Sequence, residues 1–173
     1  MKQITVHSKI YPDTFTKFSR INAYKKNKIW KNPLLFMIIM LAFATVCYIN
    51  VGKREGALLL GIVLTIVGLL LPVVYIFQFE NSIKKQSKIM RLEKGREAYA
   101  LILSDDGVMI KSGADAKRDV MQKCTWDDFK EVWRKDNDMY LYANKGNAYI
   151  LADQKEEVWD ALTSHIKNIH VVK

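Results

Sequence analysis

Acidic residues are scarce in the first half of this chain. Residues 1–96 hold 4 aspartates and glutamates against 16 lysines and arginines, while residues 97–173 hold 14 against 11. The net charge of +9 therefore belongs to one half. A nucleic-acid binder carries its basic surface on the folded module, and here the later half is mildly acidic, so nucleic acid is excluded as the expected partner. Cysteine is scarce as well. Cys47 lies in an apolar run and Cys124 in a polar segment. They are expected to remain thiols, as in a reducing cytoplasmic compartment, and neither has a metal ligand at useful spacing. His7, His165 and His170 are too dispersed for a zinc set, and His165 is expected to pack near the apolar face of a helix. Asp105-Asp106 and Asp127-Asp128 are adjacent carboxylates placed where acids cap turns, not a separated acid–base pair. Lys145-Gly146 reads as a hairpin tip, not a phosphate loop. With no catalytic constellation in view, no enzyme activity, metal or cofactor is expected.

What the chain does have is two long apolar runs, Leu34 to Val51 and Ala57 to Phe79, joined by Gly52-Lys53-Arg54-Glu55-Gly56. The only clearly polar residues in them are Thr45, Asn50, Thr65 and Gln78. As helices they measure roughly 27 and 34 Å, against a hydrocarbon core of about 30 Å. Neither alternates apolar and polar faces as a helix of a soluble core does. The expectation is a two-helix transmembrane hairpin. Asn32-Pro33 suggests an N-cap followed by proline at the first helical position. Ala57, Gly61 and Thr65 form a small-residue stripe for close helix approach, with Ala42 and Thr45 as candidate partners. Pro72 predicts a mild kink near Gly68.

Cations and one tryptophan flank the hairpin. Lys25, Lys26, Lys28, Trp30 and Lys31 precede it, and Lys84, Lys85, Lys88 and Arg91 follow it. These nine are the expected membrane-surface contacts. The connecting loop has only Lys53 and Arg54. The lysine and arginine bias predicts a multi-pass plasma-membrane protein with both termini in the cytoplasm. The first 31 residues are too polar for a signal peptide, so the first spanning helix is expected to direct insertion. An anionic inner leaflet would attract the basic collar by on the order of 1 kcal/mol per residue.

The polar segments have their own order. Gln3 to Ile10 alternates as a strand, and Pro12 opens a helix capped by Asp13 or Thr14, with Phe15, Phe18, Ile21 and Tyr24 on one face. This helix is expected to pack as a lead-in to the hairpin, a membrane-sensing role being the alternative. Residues 80–96 read as a basic juxtamembrane helix. From Tyr99 the period falls to two, and strands are expected at 99–103, 108–111, 120–126, 129–134, 139–143 and 148–151. Ser104-Asp105-Asp106-Gly107 and Asn144-Lys145-Gly146-Asn147 supply hairpin turns, and residues 112–118 a polar loop. Gln154 to Ile169 predicts a helix capped by Asp153, with Val158, Trp159, Leu162, Ile166 and Ile169 on one face.

The expected fold is thus an α+β membrane protein with four segments. Residues 1–31 give a strand and amphipathic helix, 32–79 the hairpin (34–51 and 57–79), 80–96 the juxtamembrane helix, and 97–173 a small antiparallel barrel or sandwich closed by a C-terminal helix. The N-terminal strand could join the sheet of the last segment. Trp126, Trp133, Tyr140, Tyr142 and Tyr149 either line that core or anchor a partner, and Trp126, Trp133, Tyr140 and Tyr142 are the candidate partner-binding residues.

The layout resembles the YcxB-like bacterial membrane proteins. The resemblance rests on Leu103-Ser104-Asp105-Asp106-Gly107-Val108, on Thr125-Trp126-Asp127-Asp128-Phe129-Lys130-Glu131-Val132, and on Met139-Tyr140-Leu141-Tyr142 running into Ala148-Tyr149-Ile150-Leu151. Ala152-Asp153 departs from the proline step usual after the last strand. The resemblance implies that residues 97–173 are similar to the pleckstrin-homology fold, and it implies no activity. The leading expectation for function is a cytoplasmic interaction or regulatory domain, held at the inner leaflet and binding a protein partner by strand addition. Self-association stays open beside it. The alternatives are an immunity protein against a toxin or bacteriocin, and a domain that binds lipid headgroups. The last would need a basic pocket drawn from the stalk and from residues 111–118.

Overall fold

A computed structural model describes residues 3–112, 121–144 and 146–172. The loop expected at 112–118, the residue Val120 and the hairpin tip Lys145 fall largely outside this range. The backbone divides into two compact units. One comprises residues 1–18 with 87–173, the other residues 19–86.

The first unit is built on two sheets. β1 (Ile4–Ile10) pairs antiparallel with β2 (Arg96–Ser104), from Ile4 opposite Leu103 to Ile10 opposite Arg96. The strand before the apolar runs is therefore laid beside the strand after them. β3 (Gly107–Ser112) and β4 (Met121–Cys124) complete the order β1-β2-β3-β4. Gly107 makes the β2–β3 turn at φ +144, where an added Cβ would lie 2.3 Å from the Cys124 carbonyl oxygen. The second sheet has the order β7-β6-β5-β8, with β5 (Phe129–Lys135), β6 (Asp138–Ala143), β7 (Ala148–Leu151) and β8 (Ile169–Val171). Of these, β8 runs parallel to β5.

Both sheets are open, so the sandwich limb of the expectation holds and the closed barrel does not. Helix α4 (Glu156–His165) follows β7 and buries Val158, Ala161 and Leu162 against Leu101, Val132 and Leu141. It is shorter than 154–169 and has Lys155, not Asp153, as its N-cap. Ile166 and Ile169 continue the helical spacing, but the chain leaves the helix at Ile166, and Ile169 enters β8. The expected strand over 120–126 ends at Cys124. Trp126–Asp128 is a 3-10 turn boxed by Asp128, which accepts from the Thr125 N–H at 2.8 Å and the Thr125 hydroxyl at 3.0 Å.

Helix α1 (Pro12–Arg20) starts at Pro12 itself, a position whose missing N–H costs nothing, so neither Asp13 nor Thr14 is the cap. Its Phe18 ring lies 5.5 Å from Tyr140 and 6.1 Å from Tyr142.

In the second unit a π-helical turn, Ile21–Lys26, leads toward α2 (Lys31–Ile49). α2 begins one residue before Asn32, with Trp30 as a cap that makes no side-chain bond. Pro33 still lies within the first turn, where N–H groups have no partner inside the helix. α3 runs unbroken from Ala57 to Ile89 through Pro72. The expected small-residue stripe does face α2: Ala57 and Gly61 are buried and Thr65 half-buried, and Gly68, outside the expected stripe, is buried as well. Its partners differ from Ala42 and Thr45, both exposed. An added Cβ on Gly61 would meet the Tyr48 ring at 2.8 Å, and one on Gly68 would meet Met40 Cβ at 3.1 Å. The Tyr48 and Thr65 hydroxyls hydrogen-bond at 3.0 Å.

Candidate functional site

The nine expected membrane contacts flank helices whose outward surface is apolar. Leu59, Ile49 and Phe77 are each more than two-thirds exposed, and most other apolar residues of the two runs are exposed as well. Burying such a surface in lipid removes roughly 25 cal/mol per Å² of unfavourable hydration. Both helices are long and apolar enough to cross a membrane. Their polar groups are satisfied locally: Thr45 donates to the Leu41 carbonyl at 2.9 Å, Asn50 to Val46 at 2.8 Å and Thr65 to Gly61 at 2.8 Å. At the end of the second run Arg20 forks onto Glu80, with nitrogen–oxygen distances of 3.0 and 2.8 Å, and the Tyr24 ring meets Phe79 edge-on at 5.3 Å. The segment before α2 is thus a packed lead-in. Among the expected surface contacts, Lys25, Lys28, Trp30, Lys31, Lys84, Lys85, Lys88 and Arg91 are exposed, and Lys26 is half-buried.

The four candidate partner-binding residues fall in two places. Tyr140 and Tyr142 alternate with Met139 and Leu141 along β6, so they face away from the core. They are nevertheless buried, and Phe18 of α1 stands over them. Lys17 reinforces the docking, 3.4 Å from Asp138. The second apolar face of this sheet is therefore covered by the chain itself. Burial raises the Tyr140 phenol well above its ordinary pKa, Asp138 adding to the effect, and burial does the same at Tyr142, with Glu131 adding there. Trp133 lies on that face beside Tyr140 and stacks on His170 of β8 at 4.3 Å. His170 in turn lies 3.4 Å from Glu131. Trp126 stacks on His165 at 4.4 Å and donates to the Ser104 carbonyl at 3.0 Å, so His165 is a packed histidine as expected.

Residues that sequence reasoning passed over hold the two sheets together. Ser8 and Tyr99 are opposite each other across β1 and β2. Both reach Ile150 on the edge of β7: the Ser8 hydroxyl donates to its carbonyl, the Tyr99 hydroxyl donates to the same carbonyl at 3.1 Å, and the Ile150 N–H donates back to Tyr99. Side chains here do what a neighbouring strand would do, and they close that edge. The signal was a serine on the inward side of an otherwise apolar alternation, Val6-Ser8-Ile10.

The edge formed by β8 is different. The Val132 N–H donates to the Asn168 carbonyl and the Val172 N–H to the Arg134 carbonyl, both on the β5 side. In a parallel ladder the alternate residues Ile169 and Val171 then turn their N–H and C=O outward. Their side chains are 42% and 64% exposed. No proline or lysine guards β8 itself.

Among the described residues no three of His, Cys, Asp and Glu come together as a metal site. No family model, no curated protein and no solved structure matches the chain.

Proposed function

We propose that this protein is an integral plasma-membrane protein of the YcxB-like kind. In this reading α2 and α3 span the bilayer, both termini are cytoplasmic, and a pleckstrin-homology-like unit acts as an interaction or regulatory module for a protein partner. The lipid-compatible outer surface of the two helices and the basic residues at their cytoplasmic ends support the anchoring. A four-stranded sheet, a second sheet and a helix packed into the core support the likeness in fold.

The observation that carries the interaction role is the edge of β8. Two outward-facing backbone residues with exposed apolar side chains are what an added strand needs, main-chain bonds for affinity and side chains for specificity. Two other surfaces weaken on geometry: the Ile150 edge is already engaged, and Tyr140 and Tyr142 lie beneath α1.

A photo-crosslinking residue at position 171, in the full chain in its native membrane, should give one discrete protein adduct. Ile169→Pro should abolish it, because proline removes an outward N–H that β5 does not use. No adduct at position 171, or one indifferent to Ile169→Pro, would contradict the proposal.

A further inference from the structure

A recess of about 610 Å³ opens within the β unit, where α3 ends and β2 begins. Its charged lining is Lys9, Arg91, Arg96 and Glu97, three cations to one carboxylate. The volume lies in the range of small-ligand sites. Local structure builds it. Lys9 is opposite Glu97 across β1 and β2, just past a register shift between Ser8 and Lys9 that re-aims the strand. Glu97 is also 3.2 Å from the His7 imidazole, and the Lys9 ammonium lies 5.4 Å from the centre of the Tyr11 ring. Gly95, at φ +71, lets the intervening turn come close: an added Cβ would lie 2.6 Å from the Tyr11 ring and 2.8 Å from Lys9 Cε.

Arg91 is the telling residue. It follows the helix end in the left-handed conformation, φ 54 and ψ 44, with its N–H donating to the Lys88 carbonyl at 3.0 Å. That position is usually glycine and sometimes asparagine, because a longer side chain carries a steric cost there. Among the described residues Arg91 shares a positive φ with three other non-glycine residues, Lys28, Asp136 and Asp153, and of the four it is the one in the recess lining, where backbone strain is compatible with a functional role. Guanidinium forks match the oxygens of phosphate better than a point charge does.

We propose that this recess binds a phosphate group, carried by a lipid headgroup or by a small soluble phosphate. The binding needs neither the β8 edge nor a protein partner, so the two proposals stand or fall separately.

The test is calorimetric titration of the full chain in neutral detergent with inorganic phosphate and with dihexanoyl phosphatidic acid. One site per chain is expected. Arg91→Gly should weaken it by at least about tenfold, and because glycine relieves the left-handed backbone, the thermal midpoint should hold or rise. Lys123→Gln with Lys130→Gln, exposed and outside the recess, should change the affinity by less than about twofold. Binding of both probes assigns the site to phosphate itself, and binding of phosphatidic acid alone assigns it to a headgroup. Either upholds the proposal. It is overturned if neither probe binds, if Arg91→Gly binds as the wild type does, or if the lysine control loses as much as Arg91→Gly.

Discussion

The hydroxyls of Tyr99 and Tyr140 are both buried in the β unit, with opposite surroundings. Tyr99 serves both the N–H and the C=O of Ile150. Tyr140 Oη has no hydrogen-bond partner among the described residues. Removing a hydroxyl that satisfies buried backbone groups costs about 1–3 kcal/mol, whereas removing one that satisfies nothing is neutral or favourable. Tyr99→Phe should therefore lower the stability of the full chain by about 2 kcal/mol, and Tyr140→Phe should leave it unchanged or raise it. Chemical denaturation of both variants checks the pair. The same tyrosines set an alkaline limit. Burial raises the phenols of Tyr99, Tyr140 and Tyr142 above their ordinary pKa. Raised pKa values mean that the unfolded chain loses these protons first, so stability is whole below about pH 10 and falls as pH rises past it. Thermal midpoints between pH 8 and pH 11 should fall at the alkaline end, and less steeply in Tyr140→Phe.

At the scale of elements, α1 is the cover of an aromatic sheet face. Phe18→Ala would uncover Tyr140 and Tyr142 and should cost about 1–2 kcal/mol, with a change in near-ultraviolet circular dichroism from the tyrosines beneath. An unchanged spectrum and stability would mean that α1 does not hold this face. Much of this level was legible in the sequence. The two spanning-length helices announce themselves by length and absence of polar faces, and β1 by its alternation. The stripe at Ala57, Gly61 and Thr65 marks the correct face of α3, yet its partner Tyr48 depends on how α2 is rotated, which spacing within α3 does not encode. β8 was hidden because Ile166 and Ile169 are three residues apart, a spacing that a helix and its exit share. The aromatic residues of β6 signalled that something covers them, but a contact between Phe18 and Tyr140 crosses the entire hairpin in sequence. Left-handed Arg91 has no sequence signature, because arginine is not a residue that helix ends are expected to use there.

For the whole chain, the distribution of cations sets an orientation. Positive charge is concentrated before α2 and after the apolar part of α3, while the loop between the helices holds two cations, Lys53 and Arg54. If this bias orients insertion, that loop is outside and the segments before α2 and after the apolar part of α3 are inside. The most direct measurement uses a chain with Cys47→Ser and Cys124→Ser, to which a single cysteine is added at Glu55 or at Lys88. Intact cells are treated with a membrane-impermeant maleimide. Labelling is expected at position 55 in intact cells and at position 88 only after permeabilisation. Labelling at 88 in intact cells, or protection of 55 until the membrane is opened, would contradict it.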